Sequence, residues 1–118
     1  MKNHELNFEK ETHLCEYALA IKCPNCGEAG DIHPISAAAY MREEDSKTGN
    51  YARVTRDQVE TVSGGELPPC NPSERRDGFT LLFECWECDR VLIMDIFQHK
   101  GPTYLSWSVG AKRKRDAE

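Results

Sequence analysis

"GFTLLFECWECDRVLIMDIFQ", residues 78–98, spells out a strand, a cysteine turn and a second strand without a break. Phe79, Leu81 and Phe83 alternate with Thr80, Leu82 and Glu84, the period of two that puts one set on one face of a pleated strand. Beyond Cys85-Trp86-Glu87-Cys88, the run "RVLIMDIFQ" (90–98) is apolar at both parities. Leu92, Met94 and Ile96 lie on one side, Val91, Ile93 and Phe97 on the other. "HKGPT" has turn composition, and "YLSWSV" (104–109) alternates again, with Leu105, Trp107 and Val109 against Tyr104, Ser106 and Ser108. Three strands on short connections predict an antiparallel meander. Its middle strand, apolar on both sides, predicts a cover for the second face: the first hairpin, the middle of the chain, or a second copy of it.

Upstream, "KCPNCGEAG" (22–30) holds a second cysteine turn. In "LCEYALAIK" (14–22), Cys15, Tyr17, Leu19 and Ile21 alternate into a strand that feeds Cys23, although Leu14, Ala18 and Ile21 also fit a helix. "IHPIS" predicts a return strand broken at Pro34. Residues 36–77 then form an insertion between the cysteine turns. "SAAAYMREED" (36–45) fits a short helix capped by Ser36, or a strand. "TRDQVETVSGG" (55–65) opens with Thr55 and Gln58 at capping-box spacing and predicts a short helix. "GGELPPCNPSERRDG" (64–78) is loop-like, and long loops inside a compact domain tend to be functional or disordered. The expected fold is mostly β with a minor helix in the insertion. It is a single domain over 1–118, with 111–118 a charged, disordered tail.

The two turns, Cys23-Pro24-Asn25-Cys26 and Cys85-Trp86-Glu87-Cys88, supply four thiolates, the ligand set of a tetrahedral zinc ion. Two residues between cysteines let one tight turn aim both sulfurs at one ion, with N–H groups of the turn donating to them. The residue after the second cysteine needs a positive φ, which Gly27 takes freely and Asp89 tolerates. Thioredoxin-like redox chemistry, an iron site of the rubredoxin kind and two separate disulfides are the alternatives. Redox chemistry lacks the βαβ pattern that normally follows its motif.

"CPNCG" followed by "FECWECDRVL" resembles the zinc-ribbon family, in which two knuckles on β-hairpins share one zinc. The resemblance implies Cys23, Cys26, Cys85 and Cys88 as ligands of one structural zinc ion. It covers the knuckles and their flanking strands, under half of the chain. The second knuckle departs from the family pattern at Trp86 and Asp89. Fifty-eight residues separate Cys26 from Cys85, against roughly 15–20 in common ribbons. A four-thiolate site is closed to water, so the metal is expected to be structural and the function to sit elsewhere. Zinc ribbons often serve in transcription, replication and RNA processing.

The remaining candidates are weaker. Cys15 reads as a small hydrophobe and Cys70 as a loop thiol, with His33 and His99 as reserve ligands. Glu43, Glu44 and Asp45 sit in a run of polar residues and read as a solvated face. No phosphate-cradling glycine loop or nucleophile motif is present, so an enzyme is not expected.

The 118 residues are 30% charged and 39% hydrophobic, with a formal net charge of −5. The tail from Lys112 to Glu118 carries four positive and two negative charges, which leaves −7 on residues 1–111. An acidic body argues against nonspecific grip on phosphates. A local stripe from Arg53, Arg56, Arg75, Arg76 and Lys112–Arg115 would have to overcome it. No apolar run approaches the roughly 20 residues of a membrane span, and the start is polar. The expectation is a cytoplasmic zinc-binding module that docks on a protein or nucleoprotein complex. Direct nucleic-acid binding, an acidic inhibitor or accessory role against a nucleic-acid-processing complex, and a homodimer are further possibilities.

Overall fold

The computed structural model describes residues 8–11 and 15–112, with side chains from Ala20 to Lys112. Every regular element in them is a strand: β1 (Phe8–Glu11), β2 (Cys15–Leu19), β3 (Ile32–Met41), β4 (Thr48–Thr55), β5 (Val59–Glu66), β6 (Gly78–Cys85), β7 (Arg90–Gln98) and β8 (Thr103–Lys112). Strands β1 and β2 pair as a separate hairpin. The other six form one antiparallel sheet in the order β5-β4-β3-β6-β7-β8. No helix among the described residues is long and apolar enough to cross a membrane.

The meander β6-β7-β8 is as expected. Its β7–β8 turn uses Lys100 (φ 54°) and Gly101 (φ 103°), the paired positive φ values of a tight hairpin turn. The strand through Cys15 is present as β2, but the Cys15 side chain lies outside the described residues. Pro34 does not end the return strand. It sits at a bulge in the β3–β6 ladder, while pairing of β3 with β4 starts only at Ser36. Its missing N–H therefore costs no bond on that side.

The helix expected in the insertion is absent. Residues 36–41 complete β3, hydrogen-bonded on both edges. The helical preference of three alanines is overridden by pairing on two sides. At 55–58 the capping chemistry is real but closes a turn. Thr55 Oγ1 accepts from the N–H groups of Asp57 and Gln58 at 3.4 and 3.1 Å, and the Thr55 N–H donates to the Gln58 carbonyl at 2.9 Å. One hydroxyl-to-backbone bond serves a helix start or a hairpin turn equally well; the β4 partner decides.

Register sorts the side chains onto two unlike faces. One mixes polar residues (Arg53, Glu60, Thr80, Asp95, Ser106 and Ser108) with Tyr40, Tyr51, Val62, Leu82, Ile93 and Phe97, and the 67–77 connection crosses it to carry the chain from β5 to β6. There the Tyr40 hydroxyl donates to the Pro69 carbonyl at 2.8 Å. Gly78 has no room for a Cβ, which would lie 2.3 Å from Asn71 Oδ1. Arg42 anchors the same connection. Its guanidinium donates to the carbonyls of Ser46, Ser73 and Arg76 at 3.0–3.1 Å, and its N–H to Asp77 Oδ1 at 2.9 Å.

The opposite face is apolar; among the described residues the first cysteine turn packs on its cysteine end, where Cys23 and the Lys22 carbonyl meet Leu92, Phe83 and Trp107, and the rest of it carries no second layer. Within the single chain β7 is half-buried along its length, with Leu92 its one fully buried residue. Among the described residues the buried apolar ones are few: Cys23, Tyr40, Tyr51, Cys85 and Leu92. Two of these five are knuckle cysteines, so the cysteine cluster is itself much of the core.

Candidate metal centre

The two cysteine turns fold alike. In the first, the Gly27 N–H donates to the Cys23 carbonyl at 2.9 Å; in the second, the Asp89 N–H donates to the Cys85 carbonyl at 2.8 Å. Both closing residues take positive φ, 81° at Gly27 and 60° at Asp89, as the spacing required. The Trp86 N–H donates to the Asp31 carbonyl at 2.9 Å, tying the second turn to the chain leaving the first. Pairing of Ile32 with Cys85 at the start of the β3–β6 ladder sets the two turns side by side.

The result brings together the four cysteines named from sequence. The sulfurs of Cys23, Cys26, Cys85 and Cys88 all lie within 4.8 Å of one another. Across the turns, Cys23 and Cys88 are 3.8 Å apart and Cys26 and Cys85 3.7 Å. A tetrahedral tetrathiolate with metal–sulfur bonds of about 2.3 Å has sulfur–sulfur edges of about 3.8 Å, so the donor set fits one metal ion. The N–H groups of Asn25 and Cys26 point at Cys23 Sγ, at 3.3 and 3.4 Å, and delocalise its charge.

The electrostatics of the metal-free cluster lead to the same conclusion. Burial pushes the Cys23 thiol up, but the N–H donors of Cys26 and Asn25 outweigh it and bring the group to about 7. For Cys26, a backbone hydrogen bond at Glu28 pulls down, yet burial and the crowding of Cys85, Cys23 and Cys88 drive it to about 12. Burial, first of all, raises Cys85. Four sulfurs this close do not ionise together without a cation among them.

This gives the metal affinity a definite pH dependence. At pH 7 the metal-free Cys26 and Cys85 hold their protons, and a metal must displace both. Each proton released makes binding tenfold weaker per unit fall in pH. Affinity is therefore expected to drop at least ~100-fold between pH 7 and pH 6, read by competition with a chelator.

The cluster has a protein wall. Cys23, Cys85 and Leu92 are packed by Ile32, Phe83, Cys88 and Trp107. Trp107 Nε1 donates to the Lys22 carbonyl at 3.1 Å, and its ring meets Phe83 edge-on. Sequence reasoning missed this wall; its only trace was the alternation that puts Phe83, Leu92 and Trp107 on matching parities.

The other named residues lie elsewhere. His33 is outside the cluster, stacked on Trp86 at 3.9 Å between ring centroids. His99 sits in the β7–β8 turn, 6.3 Å from the Tyr104 ring. Cys70 is exposed in the 67–77 connection with φ 86°.

The arginines do not gather into one stripe. Arg53 meets Glu60 at 3.7 Å, and Arg56 lies in the β4–β5 turn toward the cysteine end. Arg75 and Arg76 lie at the opposite end of the sheet. There Arg75 holds Asp45 through two bonds of 2.9 and 2.7 Å and meets Glu44, while Arg76 meets Glu44 and Gln98. The side chain of Arg75 holds the Asp45 carboxyl below its usual range. Lys112 ends β8, and Arg113–Arg115 lie outside the described residues. No protein-family model, curated protein or solved structure matches the chain.

Proposed function

We propose that this chain is a small non-catalytic binding module, stapled by one structural zinc ion, that docks on a larger protein or nucleoprotein complex. The observation that carries it is the four-sulfur cluster at the root of β3, β6 and β7. Four thiolates complete a tetrahedron and leave no position for water or substrate, so the metal holds the fold rather than performs chemistry. Thiolates at these spacings suit zinc, which brings no redox step of its own.

Docking is assigned to what the staple holds out: the β4–β5 hairpin and the outer edge of β5, a strand exposed along most of its length. An edge strand offers unpaired N–H and C=O groups to a partner strand. Beside it lies a groove of about 360 Å³ lined by Tyr40, Tyr51, Arg53, Glu60, Pro69 and Cys70 among others. The fixing of Arg53, Arg75 and Arg76 on carboxylates and an amide supports a protein partner over bare phosphates.

Two measurements test the reading. Elemental analysis is expected to find one zinc per chain in a colourless sample; one iron with visible absorption overturns the metal. Affinity capture of the full metal-loaded chain is expected to retain a stoichiometric protein partner after nuclease treatment. Recovery of the chain alone, or of nucleic acid lost to nuclease, overturns the docking.

A further inference from the structure

The apolar face of the sheet is continuous across all six strands. Following the ladders, one row reads Val59, Val54, Ala37, Leu81, Met94, Trp107 from β5 to β8. The next reads Thr61, Ala52, Ala39, Phe79, Ile96, Leu105. No charged residue stands in either row. Five of the most exposed large apolar residues belong to this face: Met41 (46%), Val54 (49%), Val59 (69%), Leu105 (61%) and Val109 (38%). At ~4.8 Å between strands and ~3.3 Å per residue, six strands of about eight residues present roughly 700 Å². Apolar patches on lone soluble proteins rarely exceed about 300–600 Å².

We propose that this face is the interface of a homodimer, in which two copies stack their sheets into a β-sandwich. The area matches the need: about 700 Å² from each copy lies within the size class of stable specific interfaces, roughly 800 Å² per partner. A sheet with an apolar face needs a second layer about 10 Å away, and among the described residues the chain builds one layer of six strands and a separate two-stranded hairpin. The β1–β2 hairpin, with strands of four and five residues, is too narrow to roof all six.

The side-chain sizes are self-complementary. The β3–β5 half of both rows is small (Ala37, Ala39, Ala52, Val54, Val59, Thr61), and the β6–β8 half is large. A two-fold axis parallel to the strands, between β3 and β6, lays β3 on β6, β4 on β7 and β5 on β8 of the other copy. It sets Ala37 over Leu81, Ala39 over Phe79, Ala52 over Ile96 and Val54 over Met94. Every small residue then meets a large one, and each contact occurs twice, as a two-fold interface requires. An unrelated partner offers no such reason for the division.

Sedimentation or light scattering on the full metal-loaded chain is expected to give twice the 13.4 kDa chain mass at micromolar concentration. Ala37→Arg, at an exposed position of the isolated sheet, is expected to weaken the dimer at least 100-fold while keeping metal and β signal. Val54→Lys serves the same purpose should that variant not fold. Ala52→Asp and Ile96→Lys chains are each expected to be monomeric alone and to form a dimer when mixed, because the axis sets position 52 over position 96. A wild-type monomer overturns the proposal, whatever else covers the face. So does a dimer indifferent to Ala37→Arg and Val54→Lys, and a mixture that stays monomeric. The docking reading fails separately, through capture that recovers the chain alone.

Discussion

Cys85→Ser is expected to release the metal and to take the cooperative unfolding of the sheet with it. Cys85 is fully buried and joins three structures at once. It pairs with Ile32 in β3 and Arg90 in β7, opens the second knuckle, and packs in one cluster with Cys23 and Leu92. A serine hydroxyl does not ionise near neutral pH, so the substitution leaves three thiolates and a buried hydroxyl. The loss in affinity should exceed the ~10–100-fold typical of losing a mere outer-shell partner. Structural zinc contributes on the order of 10–16 kcal/mol in small zinc-folded peptides, so loss of the metal outweighs the ~5–15 kcal/mol stability of an ordinary domain. Metal analysis after dialysis, with a thermal melt by circular dichroism, checks it. Cys70→Ser, at an exposed loop position, is the control expected to keep the metal. A Cys85→Ser chain that retains one metal and its melt contradicts the ligand set.

Arg42→Ala should do its damage at the other end of the sheet. The guanidinium satisfies three carbonyls from two separate loops, at Ser46, Ser73 and Arg76. Hydrogen bonds to a charged group each contribute about 1.5–3 kcal/mol, and they do not add fully. A loss of ~2–4 kcal/mol is therefore expected, seen as a lower urea midpoint. Arg42→Lys should recover only part, since an ammonium cannot reach three carbonyls in the planar fork geometry. The 67–77 connection should become sensitive to limited proteolysis while the metal stays bound. Simultaneous loss of metal would show that the two ends are not independent anchors.

The strands were legible where alternation was uninterrupted, in 78–85 and 104–109, and where a short apolar run lay between turn signals, in 90–98. So were both cysteine turns, because their spacing, Gly27 and Asp89 all express one local geometry. The chain between them was not. Ala37–Ala39 carry no strand signature of their own and become strand only because β4 and β6 flank them. Thr55 and Gln58 signalled a hydrogen-bonded turn correctly but not which structure it opened. Arg42 looked like one charge in a polar run, since its three acceptors are backbone carbonyls that no side-chain identity announces.

By itself the sequence determined the local chemistry: where strands run, and that two pairs of sulfurs are each aimed by one turn. Pleat and turn act within a few residues, so composition and spacing specify them. Only the tertiary structure decided the strand order β5-β4-β3-β6-β7-β8, the meeting of four sulfurs at one point, and the gathering of one parity of six strands into an open apolar face. Ladder bonds are made by backbone groups that every residue shares. Which strand answers which is therefore settled by the packing and register of the whole chain.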